Sequence, residues 1–149
     1  MKIERATIED IAQLCILLDY LFAQESEFKP DREAQTRGLS AVISDDDVGD
    51  IFIVRQEGEV IAMVNILYSI STALGARVAT LEDMIVSPMF QSQGVGSELL
   101  SYAVQFAKEQ GCKRITLLTD DDNEGAHRFY QSHGFSRSSM LTFRLPLDD

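Results

Sequence analysis

The sequence holds no apolar run long enough to span a bilayer as a helix, and no repeat, low-complexity tract or linker divides it. Its first residues, MKIERATIED, are too charged for a signal peptide. Cysteine is scarce. Cys15 and Cys112 have neither metal-ligand nor redox spacing and sit in apolar surroundings. They read as two buried thiols in a reducing compartment, so the expected location is cytoplasmic. Basic residues are few: 13 Lys and Arg stand against 24 Asp and Glu, a formal charge of −11. That balance speaks against nucleic acid as a partner and suits a cationic small molecule, although it also serves solubility. No His, Cys, Asp and Glu cluster has metal-ligand spacing, so no metal is expected. No Ser or Cys has a base at a recognisable spacing, which leaves no candidate covalent nucleophile.

What remains is an ordinary globular composition. The 149 residues are 45% hydrophobic and 25% charged, enough for one domain, 1–149, with a proper core. KIERA reads as a strand. Thr7 with Asp10 resembles a capping box, and Ile11, Leu14, Cys15, Leu18, Leu21 and Phe22 then recur at helical spacing. EFKPDREAQ breaks that helix. A second follows Pro30 to about Ser44, its apolar face carried by Ala34, Leu39, Val42 and Ile43. SDDDVGD reads as a solvated loop. Two strands flank the hairpin signal Gln56-Glu57-Gly58-Glu59, and GARVATLEDMIV is a further strand. A long helix ends at Gly111, CKRITLLT is a strand, a short helix ends at Gly134, and SSMLTFRLPL is expected to be a last strand. The order βααβββαβαβ predicts an α+β fold, with a central mixed sheet that is antiparallel first and has a strand-helix-strand crossover later.

Three places carry candidate chemistry. In VSPMFQSQGVGSELL, Gly94 and Gly96 open a helix although glycine is a poor helix former. A helix N-terminus offers unpaired N–H groups and partial positive charge. Removing two side chains there suits a phosphate, and Ser97 can add a hydroxyl. Neither the Gly-Lys-Ser/Thr ending nor the third glycine of the other common phosphate loops is present. Glu82 and Asp83 interrupt the apolar strand ATLEDMIV, where each carboxylate needs water, a cation or a cleft. Strand alternation puts only one of them on a given face, and periodicity leaves open which. Asn123, Ala126, His127 and Tyr130 fall at i, i+3, i+4 and i+7 on one helix face, where a tyrosine hydroxyl could donate a proton or could simply cap a packed ring. His127 is the weaker alternative base on that face, and His133 reads as a surface residue.

VSPMFQSQGVGSELL resembles the pantetheine-and-pyrophosphate motif of the GNAT superfamily of N-acetyltransferases, its core here being Gln91-Ser92-Gln93-Gly94-Val95-Gly96. NEGAHRFYQSHGF is similar to a second block of the family through Asn123, Ala126, Phe129, Tyr130, Gly134 and Phe135. The resemblance is strong over 82–135 and covers the first 80 residues by element order alone. It implies a GNAT-like fold, with helices on both faces of the sheet, and direct transfer of acetyl from acetyl-coenzyme A to a primary amine. It implies that the turn 91–97, Ser92 and Ser97 included, holds the pyrophosphate, and that the backbone of Met84, Ile85 and Val86 pairs with the pantetheine arm. Asn123, Ala126 and Tyr130 would complete the cofactor site, with Tyr130 as the acid toward the departing thiolate. LEDMIVSPMFQSQGVGSELL is similar to the matching segment of spermidine/spermine acetyltransferases, which implies Glu82 as the base, working through water, and Asp83 as an amine-binding acid. Gln93 departs from the Lys or Arg frequent at its position, so backbone N–H groups must carry more of the anion binding. Lys108, Lys113, Arg114 and Arg128 are the nearest basic residues in sequence. The expected partners are a small-molecule amine and a second copy in a homodimer, without nucleic acid or membrane. An aminoglycoside, an amino acid or a protein amine stays open as acceptor, and a non-catalytic acyl-coenzyme A sensor is the competing reading.

Overall fold

The computed structural model describes residues 1–24 and 31–147. The first four residues of the predicted break EFKPDREAQ, 27–30, therefore lie outside the described residues, and the rest of it is the N-cap Asp31 and the first turn of a helix. Two compact units, Met1–Leu118 and Thr119–Asp149, are taken in turn.

The first unit is a five-stranded sheet in the order β1-β2-β3-β4-β5. β1 (Lys2–Arg5), β2 (Gly49–Gln56), β3 (Glu59–Ser71) and β4 (Ala76–Val86) pair antiparallel. β5 (Ile115–Leu117) joins β4 in parallel after a helical crossover. The hairpin between β2 and β3 closes on Glu57 and Gly58, both with positive φ (52° and 80°), the twist that matches two antiparallel strands. At the N-terminus the Asp10 carboxylate accepts from the Thr7 N–H at 2.9 Å, as the capping signal predicts. It also accepts from Arg55 of β2 at 2.7 Å, tying the helix entrance to the sheet.

Helices cover both faces. Leu14, Leu17 and Leu18 of α1 (Ile11–Gln24) and Leu39 and Val42 of α2 (Arg32–Ile43) share one buried cluster with Ile51, Ile53, Met63 and Ile85. Phe52, one residue along β2, points to the other face. There its ring meets Tyr102 and Phe106 of α3 (Val95–Glu109) edge-on, at 5.2 and 4.8 Å. α3 buries Val95, Leu99, Leu100, Ala103 and Ala107 and stops at left-handed Gly111. Two expectations need correction here. Asp50, read as the end of a solvated loop, is buried at the start of β2, ion-paired with Arg5 (2.9 Å) and accepting from the Tyr68 hydroxyl (2.7 Å). Cys15 is buried as expected, but Cys112 is only half-buried.

Among its described residues the second unit has one regular element, α4 (Glu124–Ser132). The strand expected at 138–147 does not form. Leu141, Phe143, Leu145 and Leu147 keep the alternation of a strand but stand exposed. Alternation makes a strand only where a neighbour supplies a ladder, and a single helix in this unit supplies none.

Candidate active site

The site begins with an irregularity in β4. Asn65 of β3 stands opposite Glu82, and Met63 stands opposite Ile85. Two residues of β4, Asp83 and Met84, thus face one residue of β3, a β-bulge. Asp83 takes a left-handed φ of 55° to make it, a conformation aspartate tolerates better than most non-glycine residues. The bulge cancels the alternation. Glu82 and Asp83 both line one cleft, where strict pleating would have sent them to opposite faces.

That cleft has a volume of about 410 Å³. Leu18 and Phe22 of α1 form one wall; Asp31, Ala34, Gln35, Gly38, Leu39 and Val42, from the N-cap and one face of α2, form another. Asn65, Leu67, Glu82 and Asp83 form the sheet side. Among the described residues its lining holds three carboxylates and no Lys, Arg or His. Burial, and then the neighbouring Asp83 charge, raises the Glu82 carboxyl above the ordinary glutamate range. Burial also raises Asp83, against the Asn65 side chain, which donates to it at 3.2 Å. A cleft that makes ionisation costly for its acids favours a cation beside them.

Beyond Leu81 the two last strands part. β5 pairs with β4 only at Ala79, Thr80 and Leu81, whereas β4 runs to Val86. The β4 edge that carries Met84, Ile85 and Val86 therefore lies past the end of the β5 ladder, while the Ile85 side chain is buried in the core. The chain next turns through Pro88–Phe90, a short 3₁₀ turn. Gln91 donates from Nε2 to the Val86 carbonyl at 3.1 Å, pinning the turn to the strand end. Ser92 and Gly94 have left-handed φ values of 64° and 83° with Gln93 between them, the alternation that turns successive N–H groups toward one concavity. Gly94 is the N-cap of α3, and no side chain caps it. A Cβ there would meet nothing within 4 Å. The helix ladder opens with Glu98 N–H to Gly94 carbonyl at 3.1 Å, so the N–H groups of Val95 and Gly96 lie ahead of it. The Val95 side chain is buried, which leaves its backbone as the part that a ligand could meet. The turn fits an anionic group held by backbone.

In the second unit, Asn123 caps α4, its Oδ1 accepting from the Ala126 N–H at 3.1 Å. Tyr130 packs edge-on against Phe129 and Phe135, with ring centroids 5.3 and 5.7 Å apart. Burial pushes its phenol up to about 12, so it stays protonated and able to donate at neutral pH. His127 bonds through Nε2 to the Asp120 carbonyl at 2.9 Å. A carbonyl only accepts, so that nitrogen carries the proton and is no free base.

Sequence reasoning missed Asn65 and Gln35. Both had a signal. Asn65 interrupts the apolar run of β3, and Gln35 falls four residues before Leu39 on the inward face of α2. A polar residue at an inward position of an apolar element asks for a partner.

The family model described as Acetyltransferase (GNAT) family matches residues 14–135. The chain belongs to that family and is an N-acetyltransferase. It is 26% identical to the aminoalkylphosphonate N-acetyltransferase of Salmonella typhimurium (strain LT2) over 137 residues, 92% of this chain and 86% of that one. Among solved structures, a putative acetyltransferase from Agrobacterium tumefaciens str. C58 matches with a TM-score of 0.82, at 22% identity over 99% of this chain and 100% of that one. An aminoglycoside acetyltransferase from an uncultured soil metagenomic sample, in complex with sisomicin, matches with a TM-score of 0.79, at 21% identity over 99% and 96%. These two likenesses speak to the fold.

Proposed function

We propose that the protein moves acetyl from acetyl-coenzyme A directly to the primary amine of a small cationic molecule. The cleft carries this reading: its described lining offers an ammonium group carboxylates on two walls and no competing cation. The Salmonella relative is named for aminoalkylphosphonates. Here no described residue of the cleft would meet a phosphonate with positive charge, and a cationic acceptor is the better fit.

Acetyl-coenzyme A supplies a thioester carbonyl for the amine to attack. The N–H groups of Val95 and Gly96, with the open space at Gly94 and Ser97 beside them, receive the pyrophosphate. Gln91, Ser92 and Gln93 hold the turn in shape, and the β4 edge at Met84, Ile85 and Val86 takes the amide-rich arm as an added strand. An ammonium is no nucleophile until it loses a proton. Glu82 takes that proton through water, and its raised pKa brings it nearer the working pH of a general base. Asp83, braced by Asn65, holds the amine. Tyr130 gives its proton to the departing sulfur, with Asn123 and small Ala126 sharing its helix face.

The test is thiol release from acetyl-coenzyme A over a panel of cationic amines, aminoglycosides, amino acids and peptides. Release should rise with at least one small cationic amine. A panel that leaves release at background would favour the sensor reading, in which acyl-coenzyme A binds without turnover.

A further inference from the structure

The acidic residues explain how the cleft meets an ammonium group. They do not explain its two amides. Asn65 and Gln35 are only 6% and 7% exposed, and they line the cleft from different walls, one on β3 and one on α2. Each spends its nitrogen on a carboxylate: Asn65 Nδ2 donates to Asp83 Oδ2 at 3.2 Å, and Gln35 Nε2 donates to Asp19 Oδ1 at 3.2 Å. Those bonds fix which way each amide faces, because a carboxylate repels a carbonyl oxygen. The remaining carbonyl oxygens, Asn65 Oδ1 and Gln35 Oε1, are buried and have no hydrogen-bond partner among the described residues. An unpartnered buried carbonyl costs about 1–3 kcal/mol. What both lack is an N–H or O–H.

One reacting ammonium has three N–H groups. Set at Glu82, Asp83 and Asn65 on the sheet side, it would account for the Asn65 carbonyl. It does not account for Gln35, which sits across the cleft on the helix wall. Between the two walls lie the apolar surfaces of Leu18, Leu39, Val42 and Leu67. Gly38 opens the same wall. It lies inside α2, where glycine is about 0.5–1 kcal/mol worse than alanine, yet a Cβ there would touch nothing within 4 Å. Packing therefore does not demand the glycine, and the space it leaves belongs to the cleft.

We propose that Gln35 is a specificity-determining residue, and that the acceptor is bifunctional. Its reacting amine sits at Glu82, Asp83 and Asn65. An aliphatic stem crosses the apolar surface. A second hydrogen-bond-donating group, hydroxyl or amino, ends at the Gln35 carbonyl, and the molecule carries no acidic group. This rests on the acetyl-transfer reading above and specifies its substrate.

The experiment is a matched series of primary amines with three to six carbons, ending in methyl, hydroxyl, amino, carboxylate or phosphonate. Turnover and thermal shift are read on the same wild-type protein. Hydroxyl- and amino-ended members should exceed the methyl-ended ones in kcat/KM by at least tenfold, about 1.4 kcal/mol. Acid-ended members should fall below the methyl-ended ones by a similar factor. In Gln35→Met, which keeps the length of the side chain, the hydroxyl-to-methyl ratio should shrink below about threefold. Turnover of methyl-ended amines with no gain from a second donor, or a preference for acid-ended ones, overturns this inference and leaves acetyl transfer standing. No turnover together with a flat thermal-shift series overturns both. The wild-type series decides the question even where the variant does not fold.

Discussion

The carboxylate-lined cleft and the glycine turn lie in the same unit and are built in opposite ways. The turn is one uninterrupted run, residues 91–97, and its chemistry is backbone: left-handed Ser92 and Gly94, and N–H groups ahead of a helix ladder. The cleft is assembled from α1, α2, β3 and β4, and its chemistry is side chains: Asp31, Gln35, Asn65, Glu82 and Asp83. The turn suits a ligand common to a whole family, because a backbone cradle does not depend on the surrounding charge. The cleft suits a ligand particular to this chain, since each of its five polar groups can change without touching the turn. Net charge makes the same point. A chain at −11 can hold an anion at the turn through directed N–H groups and a cation at the cleft through carboxylates.

Substitutions can break that division of labour. The largest effect is expected at Glu82. Glu82→Gln should lower kcat/KM by about 10²–10⁴, the usual scale of general base catalysis, with little change in acetyl-coenzyme A affinity by calorimetry. The sign with pH follows from the raised carboxyl. The base works when ionised, so wild-type activity should fall as pH drops through a value above the ordinary glutamate pKa of about 4.3, and the variant should lack that limb. Stability should move the other way. A carboxyl whose folded pKa is raised destabilises the fold above its unfolded pKa, so Glu82→Gln should raise the Tm at pH 7 and lose that advantage in acid. A limb that persists in Glu82→Gln would assign the base elsewhere.

Tyr130→Phe keeps the ring against Phe129 and Phe135 and removes the proton. Turnover should fall by about 10- to 1000-fold while acetyl-coenzyme A affinity changes less than about threefold. Full activity would return Tyr130 to the role of a packed aromatic. Gly96→Val acts on the turn alone: acetyl-coenzyme A should bind at least about tenfold more weakly, about 1.4 kcal/mol, with the circular dichroism spectrum unchanged. Unaltered affinity in a folded variant would remove the cradle from the account. The smallest effect is expected at Gly38. Gly38→Ala should stabilise the protein by about 0.5–1 kcal/mol, because the helix gains propensity and the new methyl meets nothing. It should raise KM for the acceptor and leave acetyl-coenzyme A affinity alone. A KM unchanged for every acceptor would place Gly38 outside the acceptor's path.

The contiguous features were legible in the sequence. The apolar spacing of α1 and α3, the Glu57-Gly58 turn, the stop at Gly111 and the run Gln91–Gly96 depend on neighbours within a few residues, where propensity and backbone sterics act directly. Tertiary structure decided the rest. It showed that Glu82 and Asp83 share a cleft, because a bulge is a property of two paired strands and one strand's alternation cannot reveal it. It brought Gln35 and Asn65 to that cleft, because a buried amide is defined by what surrounds it. It left 138–147 without a ladder, because a strand is made by its neighbour and the alternating pattern of a single segment names none.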